Sequence, residues 1–128
     1  LAKAFWPGPL TVVVAKHPGL ADQVTGGKAT VGVRIPDCAP TRSLLAQCPF
    51  PVAVTSANLS GEPAAVCVAE VAEALHQHVA VILDGGTCPG LTPSTVVDLT
   101  VTPVRVLRAG PINAAALAQV LGTEVRDV

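Results

Sequence analysis

With 128 residues, half of them apolar and 13% charged, the chain can bury about two-thirds of its unfolded surface and is not compositionally disordered. A net charge of −1 and the lack of any Lys/Arg run exclude the broad basic stripe of a stand-alone nucleic-acid binder. No apolar run reaches membrane-spanning length and no signal peptide opens the chain, so the expected location is cytoplasmic, with no membrane partner.

Leu1 to Trp6 reads as the end of a helix, stopped by Pro7 and Pro9, neither of which can donate to a helical ladder. Leu10 to Lys16 is a strand. His17 to Lys28, with two Gly-containing turns and no periodicity, is a loop, and Thr30 to Ile35 is a second strand closed by Pro36. Pro40 to Cys48 is a short helix with Leu44 and Leu45 turned inward. Val52 to Thr55 follows as a third strand. Val68, Val71, Ala72, Leu75 and Val79 then space an amphipathic helix.

Ala80 to Asp84 is a fourth strand. Ser94 to Leu99 and Val104 to Arg108 are a fifth and sixth, paired as a hairpin across Thr100–Pro103. A last helix runs from Ile112 to Leu121, with Gly122 as its stop. Aromatics are confined to Phe5, Trp6 and Phe50, so Val, Ala and Leu must build the core. Strands mixed with helices across short links predict one α/β domain over 1–128, an open sheet part parallel and part antiparallel with flanking helices.

The chemistry centres on Thr55-Ser56-Ala57-Asn58-Leu59-Ser60-Gly61. Here a strand's carboxyl end delivers hydroxyls and an amide together, the place where open α/β sheets bind ligands. Such a set suits an anion, although Ser, Asn and Gly are also the commonest turn residues. Arg34 and Arg108 each end a strand, Arg34 on the side of Val31 and Val33, Arg108 on that of Val104 and Val106. Each offers a planar fork for carboxylate or phosphate, or else a snorkelling strand end, with Asp37 as a partner for Arg34. The helix start at Pro111 adds favourable potential for an anion beside Arg108. Ser94 and Thr95 read as strand-edge hydroxyls and Asp84 as a turn residue before Gly85-Gly86.

Other chemistries fit poorly. Cys38, Cys48, Cys67 and Cys88 form no C-x-x-C pair, which argues against a zinc site. His17, His76 and His78 have no G-x-S-x-G nucleophile elbow to serve, and neither a P-loop nor G-x-G-x-x-G is present. No covalent nucleophile or catalytic side chain is assigned.

Taken together, Phe5-Trp6-Pro7-Gly8-Pro9-Leu10-Thr11, Val31-Gly32-Val33-Arg34-Ile35-Pro36, Ser56-Ala57-Asn58-Leu59-Ser60-Gly61, Pro93-Ser94-Thr95-Val96-Val97-Asp98 and Arg108-Ala109-Gly110-Pro111-Ile112, in this order, resemble the YrdC-type family of threonylcarbamoyl-AMP synthases. The resemblance runs from Leu1 to Leu121. It implies a YrdC-like twisted open sheet around a positively lined cavity. The implied reaction joins L-threonine, bicarbonate and ATP into threonylcarbamoyl-AMP and pyrophosphate, with Mg2+ accompanying the ATP. The product feeds the machinery that threonylcarbamoylates adenosine in tRNA, with weak RNA binding a further expectation. By the same resemblance Arg34, Val54 and Ser94 bind threonine, while Thr30, Ser56, Asn58, Ala64 and Arg108 bind ATP.

Two departures stand out. Ala64 occupies a position where the family carries Ser or Thr. The family's upstream Pro-Thr-x-Thr-x-Tyr-Gly-Leu stretch and Lys-x-Arg motif are also absent, and the chain has no Tyr. The expectation is therefore an N-terminally truncated domain, inactive by itself, with an apolar surface left exposed. A carbamoyl-transfer domain of a hydrogenase maturation protein and a non-catalytic RNA-binding module are the alternatives.

Overall fold

The computed structural model describes residues 1–71, 73–89 and 92–127. They form two compact units, Leu1–Gln47 with Thr92–Val128, and Cys48–Leu91.

The first unit holds the sheet. Helix α1 (Ala2–Phe5) stops at Trp6, whose indole N–H donates to Leu10 O at 2.7 Å, and β1 (Leu10–Ala15) follows. Leu10 and Val12 are buried on one face of β1, as period-two alternation requires. The expected loop after β1 contains a single helical turn, α2 (Asp22–Thr25), ended by Gly26 in the left-handed region at φ 58°. Four residues are too few to print a periodicity, so this turn was invisible to pattern reading. Asp22 also pairs with Lys16 at the end of β1.

Strand β2 (Thr30–Val33) pairs antiparallel with β1, and α3 (Ala39–Leu45) follows with Pro40 in its first turn. Strand β3 (Thr95–Asp98) runs parallel to β1. Strand β4 (Val104–Arg108) returns antiparallel to β3, the expected hairpin. Helix α5 (Ala114–Leu121) is capped by the Asn113 side chain, which accepts from Ala116 N at 2.8 Å, and stops at Gly122 at φ 66°. A short strand the sequence did not announce, β5 (Val125–Arg126), adds parallel to β4. The order is β2-β1-β3-β4-β5, a mixed open sheet with flanking helices. Leu10, Val12, Val97, Val106 and Leu117 form its buried core, with Phe5, Trp6, Ile112 and Val125 packed around them.

In the second unit, Val68–Glu70 is a 3-10 turn and α4 spans Glu73–His76. The single helix expected over Val68 to Val79 is thus divided. Val71 turns extended at ψ 125°, and Ala72, one of the spaced apolar positions, lies outside the described residues. The half-buried stripe of Val68, Val71 and Leu75 gives a helix little to pack on.

Neither strand expected in this unit forms. Val52–Thr55 and Ala80–Asp84 carry no strand assignment, and their apolar side chains face outward, with Val54 82%, Val81 72% and Leu83 74% exposed. An apolar, β-branched run needs a neighbouring backbone to become a strand, and neither segment has a ladder partner among the described residues.

Candidate functional site: two arginines and the strand between them

Both arginines lie in the first unit, at the end of the sheet where β1 and β3 begin and β2 and β4 finish. Arg34 directly follows β2. Adjacent residues of a strand point to opposite faces, so Arg34 leaves the face of Val31 and Val33 rather than sharing it as expected. Its Nε donates to Gly8 O at 2.9 Å, and Gly8 N donates back to Ile35 O at 2.9 Å.

Asp37 pairs with Arg42, not Arg34. Arg42 Nη1 donates to Asp37 Oδ1 at 2.9 Å and to Pro36 O at 3.1 Å, bracing the turn that follows Arg34. The two terminal amino groups of Arg34 make no bond to the described residues. Arg34, Ile35, Pro36, Arg42, Leu45 and Ala46 line a cavity of about 350 Å3. Near it, the Cys38 thiol is held below its ordinary range, chiefly by the Thr41 hydroxyl, which donates to Sγ at 3.1 Å, and then by the Thr41 backbone N–H.

Arg108 is re-aimed by a β-bulge. Val97 pairs with Val106 but Val96 pairs with Arg108, so one step on β3 meets two on β4. The expected shared face of Val104, Val106 and Arg108 is broken at that point, because the extra residue twists the strand and turns its end. The guanidinium then closes on Ser94. Nε and Nη2 donate to Ser94 O at 3.0 and 2.7 Å, and Nη2 also donates to Ser94 Oγ at 3.0 Å. Buried Ser94 in turn has its Oγ 2.7 Å from Thr11 Oγ1 on β1.

The close approach of β4's end to β3's start depends on Gly110. A Cβ there would stand 2.4 Å from Thr95 N and 2.7 Å from Pro93 O, so no other residue fits without moving the backbone. Thr95 was read as an edge hydroxyl and is instead fully buried. Thr30, half-buried, lies opposite Ala15. Gly8, Thr11 and Arg42 were not singled out by sequence. The only signal for Gly8 and Thr11 was their place in the Phe5–Thr11 motif.

The remaining candidates belong to the second unit. Val54, Ser56 and Ala64 are exposed there. Asn58 braces its own loop, with Nδ2 donating to Leu59 O and to Glu62 O, both at 2.9 Å, while its buried Oδ1 has no partner among the described residues. Both amide hydrogens being engaged, Asn58 can offer a ligand only an acceptor. It suits a hydroxyl or amine donor better than a phosphate oxygen. Gly61, at φ 89°, closes the same turn. Asp84 is the turn residue expected, its Oδ1 accepting from Gly86 N at 2.8 Å.

These features can be set beside known proteins. The family model Sua5_yciO_yrdC, described as telomere recombination, matches residues 1–110. A Mycobacterium leprae relative is 43% identical over 122 residues, which is 95% of this chain and 55% of that protein. The threonylcarbamoyl-AMP synthase of Pyrococcus abyssi is 40% identical over 126 residues, 98% of this chain and 37% of its own length. The crystal structure of P. abyssi Sua5 complexed with L-threonine superposes with a TM-score of 0.88 at 37% identity, covering 98% of this chain and 37% of that one. The chain thus spans about half or less of the length of these relatives. A matched sequence, a shared fold and the motif order agree: this chain belongs to the Sua5/YciO/YrdC family.

Proposed function

We propose that this chain carries the threonine-binding part, and part of the ATP-binding surface, of a threonylcarbamoyl-AMP synthase, a nucleotidyltransferase acting in the cytoplasm. The observation that carries this reading is the superposition on a relative crystallised with L-threonine. The local chemistry supports it. Arg34 is anchored through Nε and keeps its outer edge clear, the arrangement a guanidinium needs to meet a carboxylate through two parallel bonds.

On this reading Arg34 and Ser94 of the first unit hold threonine, and Thr30 and Arg108 of the same unit hold ATP. The threonine nitrogen attacks the carbon of bicarbonate, a C–O bond breaks, and water leaves to give a carbamate. A carbamate oxygen is then held in line with the α-phosphorus, pyrophosphate leaves, and the cationic lining offsets the growing charge. On the same reading Mg2+ enters with the ATP phosphates, as part of the substrate. The product passes to the tRNA threonylcarbamoyl-transfer machinery.

Calorimetric titration of the protein with each substrate separately tests the assignment. Arg34→Ala is expected to weaken threonine by roughly 30- to 1000-fold and to leave ATP binding near wild type. Arg108→Ala is expected to weaken ATP by a similar factor. It should also weaken threonine to a smaller degree, because Arg108 grips Ser94 directly. Lys at position 34 restores binding only in part, since a point charge cannot reproduce the fork. Equal loss of both substrates in Arg34→Ala overturns the assignment.

A further inference from the structure

We propose that Thr11 is a positioning residue, whose hydroxyl turns the Ser94 hydroxyl hydrogen outward to meet an anionic oxygen. The inference rests on the threonine-site reading above and adds to it a residue on the strand between the two arginines.

Ser94 Oγ has one hydrogen and two lone pairs. Arg108 Nη2 donates to it at 3.0 Å and occupies one lone pair. That guanidinium cannot slide away easily, because it also holds Ser94 O with two donors. The 2.7 Å contact with Thr11 Oγ1 must then be one of two bonds. If Ser94 donates to Thr11, the serine has no hydrogen left and presents a carboxylate with a lone pair, which repels it. If Thr11 donates, both serine lone pairs are filled and its own hydrogen is the group left to present.

The 2.7 Å contact itself admits either donor. A bound carboxylate selects the second arrangement, because only a serine with both lone pairs filled and its hydrogen free can donate to it. A serine oxygen that accepts from a guanidinium and a hydroxyl is also polarised toward donating, since successive hydrogen bonds strengthen one another.

The same strand sets the other side of the site. Strand β1 lies between β2 and β3, and three residues before Thr11 the Gly8 carbonyl fixes Arg34 by its Nε. The Gly8–Thr11 stretch therefore aims two donors: the Arg34 fork through a carbonyl, and the Ser94 hydroxyl through a hydroxyl. Both point to an acceptor-only partner, a carboxylate. Gly32 makes room for this on β2, where a Cβ would stand 3.1 Å from Thr11 Cγ2.

Two measurements test this. In a neutron structure of the unliganded, deuterium-exchanged protein, one deuteron is expected on Thr11 Oγ1 pointing to Ser94 Oγ, and a second on Ser94 pointing away from Thr11. A deuteron on Ser94 pointing at Thr11 overturns the proposal. In calorimetry with L-threonine, Thr11→Val is expected to lower affinity about fivefold to tenfold, the worth of one net hydrogen bond. Thr11→Ser should restore it, and ATP binding should not change.

Unchanged threonine affinity in a folded Thr11→Val protein also overturns the proposal. If the neutron arrangement is as expected but the wild-type protein gives no heat with L-threonine, the threonine reading has failed. The role of Thr11 in aiming Ser94 then stands without it.

Discussion

The buried hydroxyl of Thr95 closes a ring with one residue seventeen positions away, donating to Ile112 O at 2.8 Å and accepting from Ile112 N at 2.9 Å. It ties the start of β3 to the approach of α5 without any strand pairing. Thr95→Val keeps the shape and leaves both Ile112 backbone groups without that partner, at a cost of about 1–3 kcal/mol. Urea unfolding of the two proteins, with equal slopes, should show it; Thr95→Ser should fall much closer to wild type. Arg34, Ser94 and Arg108 could be picked out in the sequence because a polar group ending an apolar strand is conspicuous. The roles of Thr11, Thr95 and Asn58 could not. A hydroxyl or amide reads the same whether it serves a ligand, a neighbouring strand or its own loop, and only the fold supplies the partner.

At the scale of elements, α5 offers the cleanest local test. Its first turn is satisfied by the Asn113 side chain, and no acidic residue in that turn supplements the cap. Asn113→Ala should cost about 1 kcal/mol, measured as a lowered thermal midpoint with the near-ultraviolet spectrum of the folded state unchanged. The strands at Leu10, Thr30, Thr95 and Val104 were legible because each has both a pattern and a partner. Those expected at Val52–Thr55 and Ala80–Asp84 have the pattern alone, and hydropathy cannot report whether a ladder partner exists. The bulge between Val96 and Val97 was equally hidden, since one extra residue leaves the alternation of β4 looking regular in the sequence.

For the molecule as a whole, the division into two units sets where backbone protection should lie. Among the described residues every strand pairing belongs to the first unit, and the second holds local turns such as Glu62 N to Leu59 O beside a distant bond from Cys88 N to Val66 O. Amide hydrogen exchange is expected to be slowest in β1, β3 and β4. It should approach the rate of an unstructured peptide over Val52–Ser56 and Val81–Gly85. Protection of these two segments equal to that of β1 would contradict the separation. No helix among the described residues is long and apolar enough to cross a membrane.

The parallel pairing of β1 with β3 sets an order of events during synthesis. Leu10 cannot meet Thr95 until all the residues between them have been made. At about 5–20 residues per second, β1 waits roughly 4–17 s for its neighbour. The antiparallel partner β2 arrives much sooner, so of the five described strands only β1 and β2, a marginal pair by themselves, can meet in the interval. The exposed Val81-Ile82-Leu83 run emerges within it. Contacts this distant in sequence make for slow folding, and the nascent chain must therefore pass through a period in which its most apolar stretches have no native neighbours.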